Sequence, residues 1–369
     1  MFIQIMLTCG QTYYLFVGTY TKTGSKGIYV YHFNAATGKA EHISNTEGVI
    51  NPSYVAIAPN NKYIYAVTES GGSLGPDGQQ PGSVSAFTFD RSSGQLSFIN
   101  KQPSGGDNPC YVTVSKNNRW VLAGNYMGGS LSAFQVDADG RLQPFSQLIE
   151  HTGKSVNERR QEKPHVHATV LSPAEDYVFV PDLGIDRVHI YKFNPASNKP
   201  LQPGRPPFVA STPGSGPRHF TFHPNKKHAY LIEELSGTVV AYAHTDGRLS
   251  FKQRISTHPA DYKGIIGSAD IHTSPDGKFL YASNRGDANS LTIFSIDAKT
   301  GRLSLQGHQS TLGVTPRNFT LDPSGNYLLV ANQGTNNVVI FKRNQQTGLL
   351  RATGQQLSVP TPSCLKMMK

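Results

Sequence analysis

The chain has 369 residues, and its 36 Gly, 24 Pro and 37% hydrophobic residues suit many short strands joined by tight turns. Its 34 Lys and Arg against 24 Asp and Glu give a net charge of +10, which favours an anionic partner. The basic residues are spread through turns instead of clustering with exposed aromatic side chains, which argues against a nucleic-acid-binding protein.

Residues 1–12 precede the first predicted strand. The segment MFIQIMLTCG is apolar, but it has no Lys or Arg before the apolar stretch and is too short to span a membrane. We therefore predict an N-terminal extension over residues 1–12 of a cytoplasmic protein. The alternative is an exported protein whose signal is truncated, in which Leu7-Thr8-Cys9 would resemble a lipoprotein processing site.

From residue 13 to residue 369 one segment recurs, consisting of a strand, a turn that begins with Pro, and an apolar strand. Five copies are complete, and a sixth has Lys116 in place of the turn Pro. The seventh is divided between PSCLKMMK at the C-terminus and YYLFVGTY from Tyr13. The position six residues before the turn Pro serves as a marker, and it is occupied in the seven copies by Ser53, Cys110, His167, Arg218, Ala269, Arg317 and Ser363.

Each repeat also contains an alternating segment of β-branched and aromatic residues, such as SLTIFSI from Ser290, followed by a turn and a further short strand. Seven units of four antiparallel strands predict an all-β, seven-bladed β-propeller that forms one domain over residues 13–369. Because one copy is divided, we expect the C-terminal strand to pair with the N-terminal blade and close the ring without an open sheet edge.

The lengths of the connections indicate which face of the ring carries the function. The turns between the first and second strands of each unit are short, whereas the connections 71–82, 151–164 and 258–267 are long and lie on the opposite face. Long loops on a rigid scaffold are where binding residues tend to occur. We therefore expect the site on this face.

Two columns of the aligned copies border the mouth of the central channel on this face. The marker column contains His167, Arg218 and Arg317 where other copies have small residues. The column at the end of the second strand contains Glu69, Tyr126, Leu183, Glu234, Arg285, Gln333 and Tyr20. These groups could merely fill a narrow channel as Arg-Glu pairs. Buried ion pairs are costly, however, so several at one mouth indicate a functional site.

Four segments, beginning HVHATVLSP, GSGPRHFTF, ADIHTSPDG and TPRNFTLDP, resemble the bacterial propeller-type 6-phosphogluconolactonases and the wider lactonase propeller family, which includes a carboxy-muconate lactonizing enzyme. The resemblance covers residues 13 to 366. It implies that His167, Arg218, Glu234 and Arg285 occupy the positions proposed as the active site of that family.

The chemistry of lactone hydrolysis suits these residue types. We predict that His167 is the general base and that Glu234 orients it or relays the proton, although their roles could be exchanged. Arg218 and Arg285 would hold the oxyanion or an anionic group of the substrate. Further substrate contacts are predicted from Arg317, Glu69, His219 and His165.

The predicted function is the hydrolysis of 6-phospho-D-glucono-1,5-lactone to 6-phosphogluconate in the oxidative pentose phosphate pathway. We expect a monomer that needs neither a metal nor a cofactor and binds a small anionic substrate, with no nucleic acid or membrane as partner. Two alternatives remain open, a lactonizing enzyme or cycloisomerase acting on carboxy-muconate-type substrates and a propeller that serves only as an interaction scaffold.

Overall fold

The computed structural model describes residues 11–21, 23–70 and 82–369. The predicted N-terminal extension lies almost wholly outside these residues, as does most of the long connection 71–82. The strands are β1 (Thr12–Thr19), β2 (Ile28–Asn34), β3 (Lys39–Thr46), β4 (Val55–Ile57), β5 (Tyr63–Thr68), β6 (Ser83–Asp90), β7 (Gln95–Pro103), β8 (Pro109–Val114), β9 (Trp120–Asn125), β10 (Ser130–Val136), β11 (Leu142–Glu150), β12 (Val170–Leu171), β13 (Tyr177–Asp182), β14 (Arg187–Phe193), β15 (Leu201–Ala210), β16 (Pro217–Phe222), β17 (His228–Glu233), β18 (Thr238–Thr245), β19 (Arg248–Ser256), β20 (Ser268–Thr273), β21 (Phe279–Asn284), β22 (Ser290–Ile296), β23 (Leu303–Ser310), β24 (Pro316–Leu321), β25 (Tyr327–Asn332), β26 (Asn337–Arg343), β27 (Leu350–Ser358) and β28 (Pro362–Met368).

These strands form seven antiparallel sheets of four strands each, which confirms the predicted seven-bladed β-propeller. Six blades are continuous in sequence, from β4–β7 to β24–β27. The seventh has the order β28-β1-β2-β3. A 3-10 turn, Leu183–Ile185, follows β13.

The C-terminal strand closes the ring, as the divided repeat predicts. Strand β28 pairs with β1 in antiparallel register, with Val17 opposite Leu365 and Tyr14 opposite Met368. Cys364 and Leu365 are buried, and Cys364 belongs to the apolar core shared with the neighbouring blade. The ladder therefore joins the two ends of the chain in one sheet and pairs β1 on both sides, while β28 becomes the innermost strand of its blade.

Adjacent blades pack through an aromatic ring that lies on a hairpin glycine of the next blade. Gly140, with a φ of +83°, lies directly against the ring of Tyr63, so a side chain at this position would collide with the ring as well as being strained. The same arrangement joins Tyr177 to Gly247, Phe279 to Gly348 and Tyr327 to Gly38. These contacts hold the blades in a fixed rotation about the channel.

A β-bulge occupies the marker position in five of the inner strands within the described residues. The ladder skips Cys110, Arg218, Arg317 and Ser363, and in β20 it skips both Ala269 and Asp270. A bulge re-aims the extra side chain and removes it from the alternation of the strand. The inner strands thus present two consecutive residues to the channel where an unbroken strand would present one.

Candidate active site

A cavity of about 220 Å³ lies at the channel mouth, on the face predicted from the loop lengths. It is lined by Tyr20, Glu69, Cys110, Tyr126, Arg160, His167, Glu234, Arg285 and Arg317. We call it the mouth cavity. A wider groove of about 770 Å³ exists elsewhere, but it is lined mainly by turn residues such as Lys226 and Thr300. The mouth cavity is the place where ionisable groups from all seven blades converge.

Glu234 is the centre of the charged cluster. Its Oε1 atom accepts a hydrogen bond from Arg160 Nη2 at 2.7 Å. Its Oε2 atom accepts one from Arg218 Nε at 2.9 Å and lies 3.0 Å from Arg285 Nη2. Burial alone would raise the pKa of the carboxyl group, but Arg285, Arg218 and Arg160 outweigh it and lower the pKa well below its ordinary range. Glu234 is therefore ionised at neutral pH.

Two of these arginines are also held by backbone carbonyl groups. Arg218, which is 1% exposed, donates from Nη1 to the carbonyl oxygen of Ala269. Arg285 donates from Nε to Gly267 O at 3.0 Å and from Nη2 to Ser268 O at 3.3 Å. With several donors already used, both guanidinium groups are fixed in place, and only part of each remains available to a ligand.

His167 lies beside this cluster as a neutral imidazole. Its Nδ1 atom lies 3.6 Å from Cys110 Sγ, and its Nε2 atom lies 4.0 Å from Glu234 Oε2. Burial lowers the pKa of His167 well below 6.5, and the positive charges of Arg218 and Arg317 and the neighbouring His219 lower it further. The ring can thus accept a proton at neutral pH, as a general base must.

Arg317 differs from the other arginines because its donors are free. Within the described residues its guanidinium makes no hydrogen bond; it lies 3.9 Å from Glu69 Oε1 and 5.4 Å from the ring centre of Tyr20. The carboxylate of Glu69 is instead used by the hydroxyl groups of Tyr20, at 2.7 Å, and Ser53. A largely buried guanidinium with free donors on a cavity wall is suited to binding an anion.

Arg160 is a site residue that comparison of the repeats did not identify, since it lies outside them in the connection 151–164. The connection is anchored at its start, where His151 bonds Asp182 at 2.7 Å and the hydroxyl of Tyr191 at 2.9 Å. Next to Arg160, the buried Gln161 donates from Nε2 to Leu183 O at 2.8 Å. The only signal in the sequence was the length of this connection. It indicated which face of the ring carries the site, but it did not single out Arg160.

His165 and His219, both predicted as substrate contacts, do not line the mouth cavity. His165 stacks on the ring of Tyr126 at 4.5 Å, and its Nδ1 atom bonds the carbonyl oxygen of Tyr126 at 3.1 Å. His219 lies deeper in the channel, with Nδ1 2.7 Å from Asp270 Oδ1. The bulge at Arg218 turns that residue towards the channel as well, so the next residue, His219, enters the channel at a deeper level. His165 supports the cavity wall.

The mouth cavity and its floor carry four arginines and two glutamates, which is four positive charges against two negative and a net charge of +2. With the neutral His167, such a site is complementary to an anion of charge about −2. Among the described residues, no group of three or more His, Cys, Asp or Glu side chains is placed to hold a metal ion.

The chain is similar to known proteins over nearly its whole length. The family model described as lactonase, 7-bladed beta-propeller, matches residues 14–367. The chain belongs to this lactonase family. It is 42% identical to a 6-phosphogluconolactonase of Formosa agariphila, over 96% of this chain and 99% of that protein. It is 38% identical to a 6-phosphogluconolactonase of Bacillus subtilis, over 96% of this chain and 97% of that protein.

A solved structure of the same fold comes from a periplasmic gluconolactonase of Pseudomonas aeruginosa. It superimposes with a TM-score of 0.92 and 37% identity, over 97% of this chain and 99% of that one. In the described part of this lactonase-family chain, no helix is long and apolar enough to cross a membrane.

Proposed function

We propose that the protein hydrolyses a sugar lactone, with 6-phospho-D-glucono-1,5-lactone as substrate and 6-phosphogluconate as product. The observation that carries this proposal is a neutral, buried His167 in a cavity lined by Arg160, Arg285 and Arg317. With the buried Arg218 beneath them, these arginines exceed the two glutamates of the site by two charges. The names of the two relatives support the choice of a phosphorylated lactone. A phosphate monoester carries close to two negative charges at neutral pH and matches this excess.

Arg317 and Arg160 bind the phosphate group. Arg317 has free donors on the cavity wall, and Arg160 is the most exposed arginine of the cluster, with 43% of its side chain accessible. Arg218 and Arg285, fixed by Glu234 and by backbone carbonyls, are pre-organised to stabilise the oxyanion. Glu69, Tyr20 and Ser53 supply acceptors and donors for the sugar hydroxyl groups.

In the reaction, His167 removes a proton from water while the water oxygen bonds to the lactone carbonyl carbon. The carbonyl π electrons move to the oxygen, and the resulting oxyanion is stabilised by Arg285 and Arg218. When the tetrahedral intermediate collapses, the bond from carbon to the ring oxygen breaks. The protonated His167 then returns its proton to that oxygen, so water is added across the ester bond and the base is regenerated.

The test is hydrolysis of freshly prepared 6-phosphogluconolactone, followed above its spontaneous rate, for the wild type, His167→Ala and Arg285→Ala. We expect activity in the wild type and a loss of at least about 100-fold in each variant. His165→Ala is the comparison at a neighbouring imidazole, which stacks on Tyr126 without lining the cavity, so its loss of activity should be much smaller. Full activity in His167→Ala and Arg285→Ala would refute the residue roles, and an inactive wild type would refute the function.

We propose a cytoplasmic location for the same reason, since a phosphorylated lactone is formed from sugar phosphates that cells retain behind their membranes. The periplasmic relative acts, by its name, on gluconolactone. Fractionation of the native host with an antibody against the protein tests this location. Recovery with the periplasmic or membrane fraction would contradict it and would favour the exported alternative.

A further inference from the structure

A second, much smaller cavity lies beneath the mouth cavity in the central channel. Its volume of about 10 Å³ is enough for roughly one water molecule. It is lined by Ser53, Tyr54, Cys110, His167, Arg218, His219, Arg317 and Ser363. We call it the lower cavity. Because Cys110, His167 and Arg317 line both cavities, a molecule held in the lower one lies against the floor of the other.

His219 reaches this cavity with one ring nitrogen committed elsewhere. Its Nδ1 atom donates to Oδ1 of Asp270 at 2.7 Å, which leaves Nε2 as the free acceptor of the ring. Asp270 is itself fixed by Asn318 Nδ2 at 2.5 Å, by Phe319 N at 3.2 Å and by Ile271 N at 3.0 Å. A buried carboxylate held in this way sets both the tautomer and the orientation of the imidazole.

The ring of His219 stands at 75° to the ring of His167, with 5.3 Å between their centres. Two imidazoles at this angle and separation border the same one-water space. An enclosed water molecule requires at least two polar partners, and the imidazoles of His167 and His219 are two such partners. The other walls include the guanidinium-bearing side chains of Arg218 and Arg317.

We propose that the lower cavity holds the nucleophilic water of the hydrolysis, and that His219, oriented by Asp270, is the residue that positions it. This inference rests on the proposed function. One O–H of the water donates to His167, which takes that proton during attack, and the other donates to His219. The oxygen lone pairs are then directed at the lactone carbonyl on the floor of the mouth cavity, and no group besides His167 changes its protonation state.

The charge states of the two histidines agree with these roles. Burial and the charge of Arg218 lower the pKa of His219 to about 4, although Asp270 opposes the shift. The pKa of His167 is lowered in the same direction. At neutral pH both rings are therefore hydrogen-bond acceptors, which is what a water molecule that donates two hydrogen bonds requires.

The test compares His219→Gln with His272→Gln in hydrolysis of 6-phosphogluconolactone. His272 is a matched control because its Nε2 atom also bonds Asp270, at 3.0 Å, but it does not line the lower cavity. We expect His219→Gln to lower kcat on the order of 100-fold while KM stays within about twofold, since His219 acts on water and not on substrate. His272→Gln should change kcat by less than about threefold. Equal kcat values for the two variants would overturn the proposal.

Methanol as a competing nucleophile provides a second measurement that does not depend on a variant folding. Methanol is too large for a cavity of about 10 Å³. We therefore expect the wild-type enzyme to give a ratio of methyl ester to acid at least about tenfold below that of the uncatalysed reaction in the same solvent mixture. A ratio equal to the uncatalysed one would show that the nucleophile comes from open solvent and would overturn the assignment while leaving the lactonase activity itself established.

Discussion

The Nε2 atom of His167 lies 4.0 Å from Oε2 of Glu234, beyond hydrogen-bonding distance, whereas each oxygen of this carboxylate contacts at least one arginine. The sequence left open whether Glu234 orients His167 or exchanges roles with it. The geometry favours a different task for Glu234, which is to gather three guanidinium groups at the channel mouth. His167 is left as the group with a free lone pair in the cavity.

The first prediction concerns Glu234→Gln. Removing the carboxylate leaves Arg160, Arg218 and Arg285 close together without their common counter-ion, and Arg218 is fully buried. We expect a loss of about 3–5 kcal/mol in the free energy of unfolding, measured by urea denaturation. Arg141→Gln, which removes the partner of the exposed Asp139, serves as the comparison and should cost much less. Equal losses would contradict the central role of Glu234.

The second prediction separates Arg317 from Arg285. Because the donors of Arg317 are free to bind a substrate anion, Arg317→Gln should raise KM for the phosphorylated lactone about 10- to 100-fold. For unphosphorylated gluconolactone the same variant should leave KM within about threefold. Arg285→Gln should lower kcat for both substrates. Steady-state kinetics with the two lactones checks this, and an equal effect of Arg317→Gln on both would remove phosphate recognition from its role.

The third prediction tests the anchoring of the connection 151–164. Gln161→Ala removes the buried bond to Leu183 O, so Arg160 should lose its fixed position over Glu234. We expect kcat/KM to fall by a factor similar to that caused by Arg160→Gln. The double variant should be little worse than either single one, since both changes remove the same contribution. If the effects of the two substitutions on kcat/KM were strictly additive in the double variant, Gln161 would act through another part of the protein.

The fourth prediction concerns stability in acid. The pKa of His219 is about 4 in the folded protein and near 6.5 in the unfolded chain, and that of His167 is lowered in the same direction. Below pH 6.5 the unfolded chain therefore binds protons that the folded protein does not. The stability that the unprotonated histidines contribute is fully present above pH 6.5 and is lost as the pH falls towards 4. The Tm should decrease over this range by calorimetry, and less steeply in His219→Gln. If the Tm of His219→Gln fell with pH as steeply as that of the wild type, protonation of His219 would not be the cause.

The fifth prediction concerns the closure of the ring. Deleting residues 360–369 removes β28 and exposes the edge of β1, together with the core that Cys364 and Leu365 cover. We expect a large fall in Tm and a tendency of the truncated protein to associate through the free edge. Deleting only Lys369, which lies outside the strand, should leave both unchanged. An unaltered Tm after the longer deletion would contradict closure by β28.

The repeats were sufficient to predict the blades, the divided seventh sheet and the face that carries the cavity. They also placed His167, Glu234, Arg285 and Arg317 in positions that the structure brings together. Arg160 could not be found in this way, because it belongs to a connection present in one blade alone. The depth of His219 was equally hidden, since a bulge at Arg218 changes which of two consecutive residues faces the mouth.

The bulges of the inner strands have a consequence for how such proteins diversify. The side chain of a residue that the ladder skips lies outside the alternation of its strand, so a substitution at Cys110 or Ala269 changes the side chains around the channel without changing the register of the blade. Ser363 differs, because its Oγ atom donates a hydrogen bond to Gly18 O of β1 at 3.2 Å. The marker position can therefore differ in size and charge from blade to blade while the seven sheets keep one common pairing pattern.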